Sequence, residues 1–244
     1  MPTMRKIIRF ILIIVSIGMM AFSGYKLLNI YIEYGTADKL YNDYADEFVH
    51  DHNNEKEKVP IHVDFDSLLN ENKDIVAWIY SENTPINYPI VQSTDNSYYL
   101  YRMLDGSDNK AGSIFMDYRN SSNVTDFNTI IYGHNMKNDT MFGTLLKYKN
   151  QEYFETHPVI YLITPMQTYE VEIIFGYVTD VSSKIYDISQ TTEEKKTILE
   201  EITQKSNFAV KPLFQEDDRL LTLSTCSYET DTSRYVLVGK ILDN

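Results

Sequence analysis

Arg219-Leu-Leu-Thr-Leu-Ser-Thr-Cys226 is a leucine-rich, β-branched run that ends on the only cysteine of the chain. A strand of this composition carries its last side chain to the rim of a sheet. Alternation with period two puts Cys226 on one face with Ser224, Thr222 and Leu220; Leu221, Leu223 and Thr225 take the other. The thiol thus lies on the more polar face, which favours a nucleophile over an apolar filler. Eight residues on, Arg234 opens the next apolar run, Tyr235-Val-Leu-Val-Gly-Lys-Ile-Leu242. Paired as neighbouring antiparallel strands, the two runs bring thiol and guanidinium to the same end of a sheet. Upstream, Thr129-Ile-Ile-Tyr-Gly-His134 is another short apolar run ending in a reactive side chain. A nucleophile, a proton carrier and an anion stabiliser at strand tips point to acyl transfer.

Beside Thr129–His134, five further runs read as strands: Ile75–Tyr80, Ile86–Val91, Gly112–Asp117, Val159–Ile163 and Tyr169–Val178. With Arg219–Cys226 and Tyr235–Leu242 they predict a mainly β fold, an antiparallel sheet of eight short strands closed into a barrel. Helices are expected at three places. Asp66-Ser67 caps a short helix over Leu68 and Leu69 that ends near Asn72, and Asp139 or Thr140 caps another reaching Tyr148. Thr191-Thr-Glu-Glu194 reads as a capping box for Thr192 to Lys205, with Ile198, Leu199 and Ile202 on one face. That helix lies in the long connection from Thr179 to Asp218, and a connection this long is usually functional or disordered.

The N-terminus has a different composition. Arg5, Lys6 and Arg9 precede sixteen uncharged residues, Phe10 to Tyr25, and Lys26 closes the run. From Ile7 to Tyr25 a helix covers ~28 Å at ~1.5 Å per residue, about one hydrocarbon thickness. A retained membrane anchor is favoured over a cleaved signal peptide, although Ala21-Phe-Ser23 offers a passable cleavage site. The excess of cations before the span predicts a cytoplasmic N-terminus and an extracellular remainder. Leu27 to about Val49 is helical in spacing, with an interruption at Gly35-Thr36, and His50 to Lys58 reads as a polar linker. The expected organisation is therefore an anchor at 1–26, a helical lead and linker at 27–59, and a catalytic domain at 60–244.

Removing Arg5, Lys6, Arg9 and Lys26 from the 22 Lys/Arg of the chain leaves 18 against 35 Asp/Glu, a net of −17. So acidic an exterior argues against nucleic acid and against a polybasic grip on lipid. A single cysteine excludes an intramolecular disulfide and a cysteine-based zinc site. His50 and His52 read as solvated linker residues rather than metal ligands, and His62 and His157 as structural. No metal and no cofactor are expected.

Thr222-Leu-Ser-Thr-Cys226, with Arg234 downstream and Tyr132-Gly-His134 upstream, resembles the signature of the sortases, bacterial cysteine transpeptidases. Asn87-Tyr-Pro-Ile-Val91, Gly112-Ser-Ile-Phe-Met-Asp-Tyr-Arg119, Asn128-Thr-Ile-Ile-Tyr-Gly-His134 and Thr140-Met-Phe-Gly143 resemble class B sortases in order and context. The likeness runs from about Phe65 to the C-terminus. It implies an eight-stranded barrel with N-terminal helices, and a helix in the long connection that walls a substrate groove. It also implies Cys226 as nucleophile, His134 as proton carrier and Arg234 as holder of the oxyanion or the substrate backbone. Asn87, Val91, Tyr186 and Ser224 are expected to meet the peptide. The implied partners are secreted proteins with a C-terminal sorting motif of the Asn-Pro-x-Thr type and an amine of a peptidoglycan precursor. Two other readings remain open at this point: a hydrolytic cysteine peptidase, and a non-catalytic wall-associated binding module. Papain-like enzymes place Cys before His, the reverse of this order, and the caspase sequence around the cysteine is absent.

Overall fold

The computed structural model describes residues 2–51, 59–188, 192–208, 218–227, 229–230 and 232–242. In chain order these form α1 (Pro2–Phe48), β1 (Val49–Asp51), β2 (Ile61–Val63), α2 (Phe65–Glu71), β3 (Ile75–Tyr80), β4 (Asn87–Val91), β5 (Ile114–Met116) and β6 (Asn128–Tyr132). A 3-10 helix (Gly143–Lys149), α3 (Gln151–Thr156), β7 (Val159–Ile163) and β8 (Thr168–Asp180) follow. A second 3-10 turn (Lys184–Tyr186), α4 (Thr192–Lys205), β9 (Arg219–Cys226) and β10 (Ser233–Leu242) complete the order. The chain divides into two units, residues 1–40 and 41–244.

In the first unit the apolar side chains stand in the open: Ile7, Phe10, Leu12, Ile17 and Phe22 are all more than half exposed. The stretch from Met4 to Phe48 is one helix, long and apolar enough to cross a membrane. Gly35-Thr36 does not interrupt it as expected. Nothing lies within 4 Å of where a Gly35 Cβ would stand, and Thr36 turns its hydroxyl back to the Ile32 carbonyl at 2.9 Å. Glycine there costs ~1 kcal/mol of helix propensity but obstructs nothing.

In the second unit eight strands close into a barrel in the order β10-β8-β7-β3-β4-β5-β6-β9. The expected barrel is present, but it is mixed rather than antiparallel. β4 runs parallel to β5 and β6 runs parallel to β9; each pair is joined by long excursions rather than a tight turn, as parallel pairing requires. The core centres on Ala77, Trp78, Ile79, Ile90, Ile114 and Ile130, none of them exposed. α4 forms where expected, and its Ile198 and Ile202 pack on Ile174, Phe175 and Val236, with Leu199 at the margin. Thr191 of the expected capping box lies outside the described residues.

Two caps differ from expectation. The N-cap of α2 is Asp64, whose side chain accepts from the Ser67 amide at 3.1 Å, so the helix starts before Asp66. The helix near Tyr148 starts after Phe142 without a side-chain cap, because Asp139 and Met141 take positive φ and turn the chain. Val49 to Asp51 pair with β2, so the polar linker starts later than expected; residues 52–58, including His52, lie outside the described residues.

Tyr41, near the end of α1, is buried and donates its hydroxyl to the Gly112 carbonyl, next to Ser113 Oγ. Gly112 has φ of +55°, and a Cβ there would meet the Leu100 oxygen at 2.3 Å, so only glycine fits that turn. Tyr41→Phe removes the one donor while keeping the ring. The expected loss is ~1–3 kcal/mol with an unchanged denaturant slope, measured by urea unfolding of the detergent-solubilised chain.

Candidate active site

The pairing of β9 with β10 puts Arg234 directly across from Cys226. The parallel pairing of β6 with β9 sets Tyr132 against Ser224, and the Gly133 amide continues the ladder to the Ser224 carbonyl at 3.2 Å. Side chains then lock the two strand ends. Thr225 Oγ1 donates to the Gly133 carbonyl at 2.9 Å, and Asn135 Nδ2 donates to the Cys226 carbonyl at 2.8 Å. Between these two clamps stands His134. A side chain at Gly133 would strike Ile114 Cδ1 at 2.5 Å and the Phe142 ring at 2.7 Å, so glycine lets the strand run close to the core just before the histidine.

The imidazole is fixed from the other side. Leu100 offers a carbonyl, which only accepts, so Nε2–H donates to it at 2.6 Å and Nδ1 keeps the lone pair of the neutral ring. Tyr101 lies against the ring, with centroids 5.2 Å apart. Burial pushes the His134 pKa below the ordinary value; the Leu100 bond opposes this and the charge of Arg234 adds to it.

Cys226, His134 and Arg234 line one groove of about 520 Å³, together with Tyr186 and Ser224. Tyr186 and Ser224 share a hydroxyl hydrogen bond of 2.8 Å, and the Tyr186 ring stacks on Tyr132. Burial pushes the Tyr186 phenol up to about 12, so it stays neutral as one wall of the groove. Arg234 Nη1 donates to its neighbour's carbonyl, Ser233 O, at 3.0 Å. Glu229, a carboxylate close to Arg234 in the sequence, is bonded by Lys149 at 2.7 Å and by Ser227. Those donors hold its carboxyl down at about 2. Asp231, also close in the sequence, lies outside the described residues.

Asn87 and Val91 stand apart from this assembly. Asn87 Oδ1 accepts from Trp78 Nε1 at 2.7 Å, Val91 is fully buried, and neither lines the groove. His157 ends α3, donating Nδ1–H to the Tyr153 carbonyl and stacking on that ring. Sequence reasoning passed over Asn96, Leu100, Arg119 and Tyr132, which do line the groove. Arg119 and Tyr132 lay inside motifs already quoted; Asn96 and Leu100 come from a loop with no periodic signal. Asn135, the residue after His134, was the most accessible omission, since a polar side chain just past a strand end commonly ties a neighbouring backbone.

A mixed eight-stranded barrel whose groove holds Cys, His and Arg has clear counterparts. Residues 82–242 match the sortase domain. Sortase B of Listeria monocytogenes is 34% identical over 236 residues, covering 95% of both chains. The crystal structure of sortase B from B. anthracis in complex with AAEK1 superposes with a TM-score of 0.76 at 35% identity, covering 88% of this chain and all of the other. A Staphylococcus aureus sortase B–substrate complex gives 0.69 at 34% identity, covering 73% and 84%. The chain belongs to the sortase family, cysteine transpeptidases that anchor surface proteins. Its relatives are sortase B proteins, in accord with the class B resemblance of the motifs.

The His134 environment has a measurable consequence. Its ring should titrate below the ~6.5 of an unperturbed histidine. Protons then bind the unfolded chain more readily, so stability tied to this ring is complete above ~6.5 and declines as pH falls below it. An NMR titration of the imidazole in the Cys226→Ala protein checks this; a midpoint at or above 6.5 contradicts it.

Proposed function

We propose that this chain is a membrane-anchored class B transpeptidase. It cleaves a C-terminal sorting signal of secreted proteins and transfers the new acyl end to an amine of a peptidoglycan precursor. The observation that carries the reading is the convergence of Cys226, His134 and Arg234 on one groove through two strand pairings. In the first half, the neutral His134 takes the Cys226 thiol proton as the sulfur attacks a backbone carbonyl of the sorting signal, and the resulting oxyanion is held by the Arg234 guanidinium. The C–N bond then breaks, His134 protonates the departing amine, and a thioester remains. In the second half, an incoming amine attacks the thioester while His134 takes its proton, and the thiolate leaves as the new amide forms. A thiol suits both halves, being better ionised near neutrality than a hydroxyl and a better leaving group.

Tyr186 and Ser224 form a hydroxyl-bearing wall for the peptide, whereas Asn87, bonded to Trp78, and the buried Val91 serve the packing of β4 in the barrel. The apolar helix beginning at Met4 supplies the anchor, residues 1–26 being the spanning part, 27–59 the lead and 60–244 the catalytic portion. Arg5, Lys6 and Arg9 before the span, against Lys26 after it, favour a cytoplasmic N-terminus with the barrel outside the cell.

The test uses the detergent-solubilised full chain, a fluorescent peptide library of the Asn-Pro-x-Thr type and triglycine as amine. Amide product is expected. Acid product alone makes the chain a peptidase, and no product with bound peptide makes it a binding module. Cys226→Ala should abolish turnover with the fold intact, and His134→Ala should lose at least ~10³-fold in kcat. Near-normal turnover by Cys226→Ala would refute the nucleophile assignment.

A further inference from the structure

Just past β5, the Asp117 carboxylate is completely shielded from solvent and yet receives donors from three side chains that line the groove. Arg119 grips it with two bonds, Nε to Oδ1 at 2.9 Å and Nη2 to Oδ2 at 2.8 Å. Tyr132 Oη donates to Oδ2 at 2.9 Å, and Asn96 Nδ2 donates to the same oxygen at 3.0 Å. The Arg119 backbone amide adds a further bond to Oδ1 at 3.0 Å. Burial alone would raise this carboxyl's pKa, but these donors outweigh it and hold the pKa below the usual range. The group therefore remains an anion and a strong acceptor.

The same guanidinium reaches across the groove. Arg119 Nη2, the nitrogen bonded to Asp117 Oδ2, also donates to the Tyr186 carbonyl at 3.1 Å. Tyr186 belongs to the β8–α4 connection, whereas Asn96 belongs to the loop after β4. One buried carboxylate thus joins both segments and Tyr132, on whose ring Tyr186 stacks. In the same connection, Asn128 Nδ2 holds the Ile185 carbonyl at 2.7 Å, and Ile185 is fully buried. Among the described bonds, the backbone of the 184–186 turn is held from outside by Asn128 at Ile185, by Arg119 at Tyr186 and by the Glu201 carboxylate at Lys184.

We propose that Asp117 is a positioning residue for sorting-peptide selection: through Arg119 it ties the backbone of Tyr186 to the barrel and fixes the width of the groove. This rests on the transpeptidase reading above. It touches neither Cys226 nor His134, so its effect belongs on peptide capture rather than on chemistry.

The test measures kcat and KM for the full chain with the best Asn-Pro-x-Thr library peptide and triglycine, in wild type, Asp117→Asn, Arg119→Met and the double variant. Cys226 alkylation by iodoacetamide and amide hydrogen exchange at residues 184–187 are read on the same proteins. Both single variants should raise KM about tenfold with kcat within about threefold, leave alkylation unchanged and speed exchange at 184–187. The double variant should be no worse than the poorer single one, since both cut the same tether. An unchanged KM overturns the proposal, as does multiplication of the two effects. A fall in kcat alone also overturns it, since that reports only a smaller folded fraction. If Asp117→Asn does not fold, Arg119→Met, altered at a partly exposed side chain, decides on the same criteria. An inactive wild type refutes the transpeptidase reading instead; exchange at 184–187 then judges the tether alone, and unchanged exchange overturns it.

Discussion

The pairing of β6, β9 and β10 is the constraint on which the site depends. β9 is the shared member: antiparallel to β10 on one side, parallel to β6 on the other. The first register sets Arg234 opposite Cys226, and the second carries the chain past Tyr132 and Gly133 to His134. A one-residue slip in either would send its terminal side chain to the other face of the sheet. Such slips are resisted by the buried faces of the strands, where Leu220, Ile130, Ile131, Val236 and Val238 are all shielded. Thr225 and Asn135 add bonds specific to the strand ends. The geometry of the proposed chemistry is therefore held by core packing, not by the reactive groups themselves.

A second layer controls what reaches those groups. The wall bearing Tyr186 is part of the connection that also contains α4, and α4 is attached by burying Ile198 and Ile202 against β8 and β10. Glu201 of the same helix accepts from Ser183 Oγ at 2.6 Å, just ahead of the 3-10 turn. Helix packing, the Asn128 bond and the Asp117–Arg119 tether act on one short segment from different directions. A groove built this way couples its width to the barrel through a few nameable contacts, while the thiol, imidazole and guanidinium stay on strand ends.

Much of this was legible in the sequence. The adjacency of Cys226 and Arg234 follows from period-two alternation and the shortness of the connection between two apolar runs. The α4 face followed from 3.6-residue spacing. The parallel contact between β6 and β9 was not legible, because pairing between strands so distant in sequence is decided by closure of the whole barrel. The antiparallel expectation failed there for that reason. Short-range punctuation misled at Gly35-Thr36, where an open surface tolerates glycine, and at Asp66, where Asp64 offered the same cap chemistry two residues earlier. Asp117 gave no signal as a hub, since burial of a carboxylate and the convergence of Asn96, Arg119 and Tyr132 upon it exist only in the folded chain.

The central claim is that strand register makes Arg234 a partner of the reacting carbonyl beside Cys226. The most direct measurement compares peptide turnover with alkylation of Cys226 by a small neutral reagent in Arg234→Lys. A flexible ammonium cannot reproduce the fixed fork of a guanidinium, and loss of one oxyanion donor typically lowers kcat by ~10²–10³. Alkylation develops no oxyanion, so its rate should change far less. A parallel fall in both rates, or no fall in either, contradicts the account.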